Sequence, residues 1–122
     1  MNSPTKNPKI ILPLSLAAWQ TNDFKPTFIK EVEALHGHDL PLQQALRWSS
    51  YALAEDFKIL VMASRETDTV IEVKTGVFFK GMIPGCSCAN DPTPIGEQTE
   101  YSEMLFHIDK QNAETTVVIV ED

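Results

Sequence analysis

The chain has 122 residues, of which 43% are hydrophobic and 22% charged. That suits one globular domain with a modest core and excludes wholesale disorder. The formal net charge is −7, and the ten Lys and Arg are scattered along the chain. No basic stripe is present to neutralise a row of phosphates, so nucleic acid is not an expected partner, and the acidic excess would repel an anionic membrane surface.

Residues 1–8 are polar, carry Pro4 and Pro8, and hold too little apolar surface to be tied down, so they are expected to be flexible. Residues 9–122 are read as one domain. Lys6 and Lys9 precede an apolar run from Ile10 to Ala18 that imitates a secretory signal. Pro13 interrupts the run, no clean A-x-A cleavage site follows, and it is shorter than the ~20 residues a spanning helix needs. A buried first strand followed by a turn is the expectation.

Between Phe24 and Leu35 the apolar residues Phe24, Phe28, Ile29, Val32 and Leu35 recur at helical spacing, with Lys30, Glu31 and Glu33 outside. Asn22 or Asp23 can cap its start, Pro26 is tolerated in its first turn, and Gly37 can stop it. A second, shorter helix is expected from Leu40 to about Trp48, capped by Asp39, with Leu42, Ala45 and Leu46 inward. The short link His36-Gly37-His38 would fold the two into a pair or make them one bent element.

Beyond Asp56 the residues turn β-branched and aromatic. Phe57 to Ser64 is apolar on both faces for most of its length, which predicts an interior strand. Arg65-Glu66-Thr67-Asp68 reads as a turn into Thr69 to Lys74, where Ile71 and Val73 alternate with Glu72 and Lys74. Val77 to Ile83 continues as strand, with Gly76 marking a turn or a bulge. A second hairpin runs from Tyr101 to Asp109 and from Ala113 to Glu121, turning at Lys110-Gln111-Asn112. Its first strand places Met104, Phe106 and Ile108 on one face and Tyr101, Glu103, Leu105 and His107 on the other. The fold class is α+β: an antiparallel sheet of four to six strands with a helix pair packed on one face.

The chemistry concentrates in Gly85-Cys86-Ser87-Cys88-Ala89-Asn90-Asp91-Pro92-Thr93-Pro94, which holds both cysteines of the chain. Pro92 and Pro94 bias the residues before them toward extended backbone, so ordering this loop costs less entropy than its length implies. Cysteines at i and i+2 can turn both sulfurs to one side, and a thiolate pair suits zinc or another thiophilic metal. Two sulfurs do not complete such a site. Asp91, His107, Glu103 and the His36-Gly37-His38 turn are the candidates to complete it, with Cys86, Cys88, Asp91 and His107 the chosen set.

Three other readings stand beside this one. Free cysteines are often small buried hydrophobes, and then the loop is structural. A reactive thiol with a resolving partner would make the chain a redox or nucleophilic enzyme, although the C-x-x-C of thioredoxin-like proteins is absent. A protein-interaction domain would present an exposed apolar patch around Phe78 or Phe79, buried in an oligomer. Glu97, Glu100 and Glu103 read as a solvated acidic stretch. Two cysteines are too few for a disulfide framework, so reduced thiols and a cytoplasmic location are expected.

The stretch from Gly76-Val77-Phe78-Phe79-Lys80-Gly81 through Pro94, followed by Glu100-Tyr101-Ser102-Glu103, resembles a family of small uncharacterised bacterial proteins, mainly proteobacterial. The likeness extends over Leu40-Pro41-Leu42-Gln43. Relatives often carry a cysteine where this chain has Ser102, which implies a metal or redox site built on three thiols. Ser102 departs from that pattern.

Overall fold

A computed structural model describes residues 10–35, 39–46, 51–82 and 97–120. Its elements are β1 (Ile10–Ile11), α1 (Pro13–Ala18), α2 (Phe24–Glu33), β2 (Tyr51–Glu66), β3 (Val70–Met82), β4 (Glu97–Asp109) and β5 (Glu114–Val120). The strands form one antiparallel sheet in the order β1-β5-β4-β3-β2, with both helices on one face. The α+β class, the antiparallel sheet and the helical layer therefore stand as expected.

Alternation decides which side each residue faces. Ile71, Val73, Val77 and Phe79 of β3 and Met104, Phe106 and Ile108 of β4 point toward the helices and are buried. The first strand of the second hairpin thus divides its faces as its sequence implies. Phe28, fully buried on α2, packs edge-on against Phe106 with ring centroids 5.3 Å apart, and Phe24 stacks beside it at 5.7 Å. Those rings carry the contact between layers, because aromatic side chains bury the largest apolar areas. Thr75 is the buried polar residue in their midst, and its hydroxyl donates to the carbonyl of Met104 at 2.9 Å.

Helix α2 matches its sequence pattern closely. Asp23 occupies the capping position but makes no side-chain cap bond; instead its own N–H donates to Thr21 Oγ1 at 3.1 Å. The apolar run at the N-terminus departs from expectation. Only Ile10 and Ile11 are strand, and Pro13 then opens α1, because a proline lacking an N–H fits a first helical turn. The N–H groups of Leu14 and Ser15, and the buried Ser15 hydroxyl, all donate to the carboxylate of Glu31, at 3.0, 2.7 and 2.6 Å. One acidic side chain of α2 thereby satisfies the start of α1 and joins the two helices.

The helix expected from Leu40 is a second correction. Among the described residues 39–46 none is α-helical: Asp39 and Gln43–Ala45 are 3₁₀, and Leu46 is already extended. Leu40, Leu42 and Ala45 are the buried residues here, a spacing that does not form the stripe of an α-helix. The helical pair is α1 with α2. Gly37, Trp48, Ile83 and Glu121 lie outside the described residues.

Strand β2 is a third. It lies at the edge of the sheet, and its outward residues Leu60 and Met62 are 51% and 44% exposed. The apolar residues on both sides of this strand record one covered face and one open one. A bare edge invites pairing with another chain, and side chains of the helical side blunt this one. The N–H of Ile59 donates to Glu33 Oε2 at 3.0 Å, and that of Ala52 to Gln43 Oε1 at 2.9 Å. Two register shifts, between Leu53 and Lys58 and between Val61 and Ala63, bend β2 further.

Gly76 neither turns nor bulges β3, whose pairing with β4 runs unbroken from Val70 to Met82. Its role is close approach. A Cβ at Gly76 would lie 2.8 Å from the Tyr101 hydroxyl and 2.9 Å from ring carbon Cε1, so the glycine makes room for the ring lying across it. The turn after β4 falls at Lys110-Gln111-Asn112 as anticipated. Asp109 Oδ1 accepts from the N–H of Gln111, and Asn112 Oδ1 from that of Glu114.

The far ends of both hairpins are tied to α1 through one carboxylate. Glu66 Oε1 accepts from Lys110 Nζ at 2.6 Å and from Trp19 Nε1 at 2.9 Å. The hydrogen bond from Lys110, then that from Trp19, holds the Glu66 carboxyl below its ordinary value of 4.5. The Arg65 hydrogen bond does the same for Glu72. A carboxyl with a depressed folded-state pKa stabilises the fold above its unfolded pKa, and that contribution is lost as pH falls through the folded value. Urea melts from neutrality down to about pH 3 should therefore show stability falling below about pH 4.5. Glu66→Gln should flatten that decline.

Candidate functional site

Strands β3 and β4 set the position of the thiol loop. Met82 and Glu97 are paired across the sheet, so the chain leaves β3 and re-enters β4 at neighbouring positions on one sheet end. Cys86, Cys88 and Asp91 lie within residues 83–96, outside the described residues, as do His36 and His38.

The strands near this root carry two polar side chains on the helix-covered face. Glu100, opposite Phe79, is 1% exposed, and Ser102, opposite Val77, is 7% exposed. The Ser102 hydroxyl donates to the carbonyl of Glu103 at 3.4 Å. The reading of Glu97, Glu100 and Glu103 as one solvated stretch is thus corrected at Glu100. Counting back by two from Met104, through Ser102, gives Glu100 the same inward face, and that parity was the signal to follow.

His107 sits elsewhere. It lies ten residues along β4 from Glu97, a distance of roughly 33 Å in an extended strand, and on the open face. Cys86 is four residues past Met82, which extended chain spans in at most about 14 Å. The strand geometry does not bring His107 to the loop's root. Its Nε2 instead faces Glu72 Oε2 at 3.2 Å, with Arg65 Nε on the other carboxylate oxygen at 2.7 Å. Glu103 also faces outward, 3.6 Å from Lys74 Nζ. Among the described residues no three His, Cys, Asp or Glu side chains gather as a metal site.

The open sheet face has its own character. Phe78 and Tyr101 pack at 4.8 Å with ring planes tilted by 49°, both about two-fifths exposed. Phe79, on the opposite side of β3, is buried, so the pair Phe78-Phe79 divides between core and surface. The Tyr101 hydroxyl donates to Glu103 Oε2 at 3.3 Å and lies 3.8 Å from Met62 Sδ. Desolvation, and then the charge of Glu103, pushes the Tyr101 phenol above its ordinary 10.0.

On the helical side a groove of about 760 Å³ runs between α1 and α2, lined by Leu14, Ala17, Ala18, Thr27 and Lys30. Asp23 and Glu31 also line it, and the Glu31 carboxylate is committed to the start of α1. Among the described residues no helix is long and apolar enough to cross a membrane. No family model, curated protein or solved structure matches this chain.

Proposed function

We propose that this chain is a small cytoplasmic binding module whose ligand, a zinc or other thiophilic metal ion, is held by Cys86 and Cys88. The observation that supports the reading is the pairing of Met82 with Glu97, which holds the two ends of the thiol-bearing segment on neighbouring strands. A site mounted on such a base needs less ordering than one on a free chain. The donor chemistry supports it as well. Two soft thiolates with a carboxylate from Asp91 suit zinc, and a fourth ligand closes a tetrahedron.

The resemblance to bacterial proteins that often carry a third cysteine where Ser102 stands adds weight. Ser102 is only two residues from Glu100 and faces the same side of the sheet. The loss of that sulfur would leave a weaker, two-thiol site. An enzymatic role for the thiols has less support, since the sequence holds no C-x-x-C motif.

The test is elemental analysis of protein purified without chelator. Near-stoichiometric metal that disappears in both Cys86→Ser and Cys88→Ser is the expected result. Protein that carries no metal and takes up none from added zinc would remove the proposal.

A further inference from the structure

The open face of the sheet matches itself. Across β2, β3, β4 and β5 the outward residues form rows fixed by register: Lys58, Phe78 and Tyr101, then Leu60, Gly76, Glu103 and Val120, then Ala63, Lys74, Leu105 and Val118, then Arg65, Glu72, His107 and Thr116. A half-turn about a line parallel to the strands and midway between β3 and β4 exchanges β3 with β4 and β2 with β5. It keeps every row in place.

Two copies related by that rotation and laid face to face would set each Phe78 over the other copy's Tyr101, Leu60 over Val120, and Met62 with Ala63 over Val118. In the last row Glu72 would lie over His107. Apolar side chains meet apolar ones at these three contacts; at the centre Gly76 lies over Glu103 and Lys74 over Leu105, so each Lys74 comes next to the other copy's Glu103, and in the last row a carboxylate meets an imidazole. Among the described side chains of this face the cations Lys58, Arg65, Lys74 and Lys80 sit on β2 and β3 together with one acid, Glu72, while the acids Glu103, Asp109 and Glu114 sit on β4 and β5. The same rotation brings the basic side over the acidic side, which a second axis, perpendicular to the strands, would not do.

The geometry points to a second copy of this chain as the occupant of the face, in a two-fold sandwich whose axis runs between β3 and β4. Twofold dimers with identical patches are the commonest oligomers, and aligned sheets pack with strands crossing at about 30°, which preserves the match at the centre of the face. Leu60, Met62, Phe78, Tyr101 and Val118, each between 38% and 51% exposed, supply the apolar contact. Four strands about 4.8 Å apart and roughly 24 Å long give a footprint of about 450 Å² per copy. The total, roughly 900 Å², lies below the range of stable complexes and within that of weak, transient ones, so the dimer dissociates on dilution in the micromolar range. The proposal is independent of the thiol loop, and either can fail alone.

Sedimentation equilibrium of the full chain tests it, from about 1 to about 100 μM. Expected is a monomer–dimer equilibrium that Phe78→Glu and Val118→Asp each weaken at least roughly thirtyfold, the scale of losing a central anchor. Leu14→Glu, on the helical side and 62% exposed, should leave it unchanged. Far-UV circular dichroism checks that the variants remain folded, as expected for two exposed positions. A chain monomeric at about 100 μM overturns the proposal. So does a dimer indifferent to both face substitutions, or a monomer whose face instead takes up a foreign protein or an oligonucleotide.

Discussion

Phe28→Ala is expected to destabilise the fold by about 3–5 kcal/mol, the usual cost of emptying a fully buried phenylalanine site. Phe28 has no exposed surface and stands between Phe24 on its own helix and Phe106 of the sheet. Neither neighbour can fill the vacancy easily, since Phe24 is also held edge-on by Trp19 at 4.8 Å and Phe106 is fixed by β4 pairing on both sides. The stability of a domain is only about 5–15 kcal/mol, so this one truncation removes a large share. Denaturant unfolding measures it. A loss under about 1 kcal/mol would mean that the helical layer is not packed on the sheet as described.

Glu31→Ala is expected to cost about 2–3 kcal/mol, which is unusual for a residue that is not fully buried. The carboxylate accepts three bonds from Leu14 and Ser15, and Ser15 is completely buried. Without it the first turn of α1 loses its partner and a buried hydroxyl is left without its acceptor, the more expensive half of the loss. Glu31→Gln keeps one carbonyl acceptor and should fall between wild type and alanine. Amide exchange reads the local effect: the α1 amides should lose protection before those of β3 and β4.

How much of this was legible in the sequence depends on which face of an element is asked about. Helix α2 could be read from five apolar positions because one side meets the core and the other meets water. The same alternation resolved β3 and β4, where Ile71, Val73, Met104 and Phe106 point inward. It misled for β2. Leu60 and Met62 signal a covered strand when read locally, yet they belong to a face that the helices do not reach, and local pattern has no information about what lies above it.

Pro13 looks in sequence like an interruption of the apolar run, yet it opens a helix. The partner that makes α1 possible, Glu31, is sixteen residues from Ser15 and invisible to any local window. The buried Glu100 was missed because its neighbours in sequence are polar, although its parity with Met104 was available. The thiol loop is the opposite case. Its chemistry stands out in the sequence, while the fold supplies only its anchor: two paired strand ends, with Glu100 and Ser102 nearby and His107 far along β4.

In the proposed site Cys86 and Cys88 act together on one ligand. The direct test is alkylation of the folded protein at neutral pH, followed by mass spectrometry of each cysteine, with zinc titrated in. The account predicts that both thiols become protected together over one zinc dependence, and that Cys86→Ser abolishes the protection of Cys88. Rates for both thiols that zinc leaves unchanged, or one thiol reacting fast and the other shielded regardless of zinc, would contradict it.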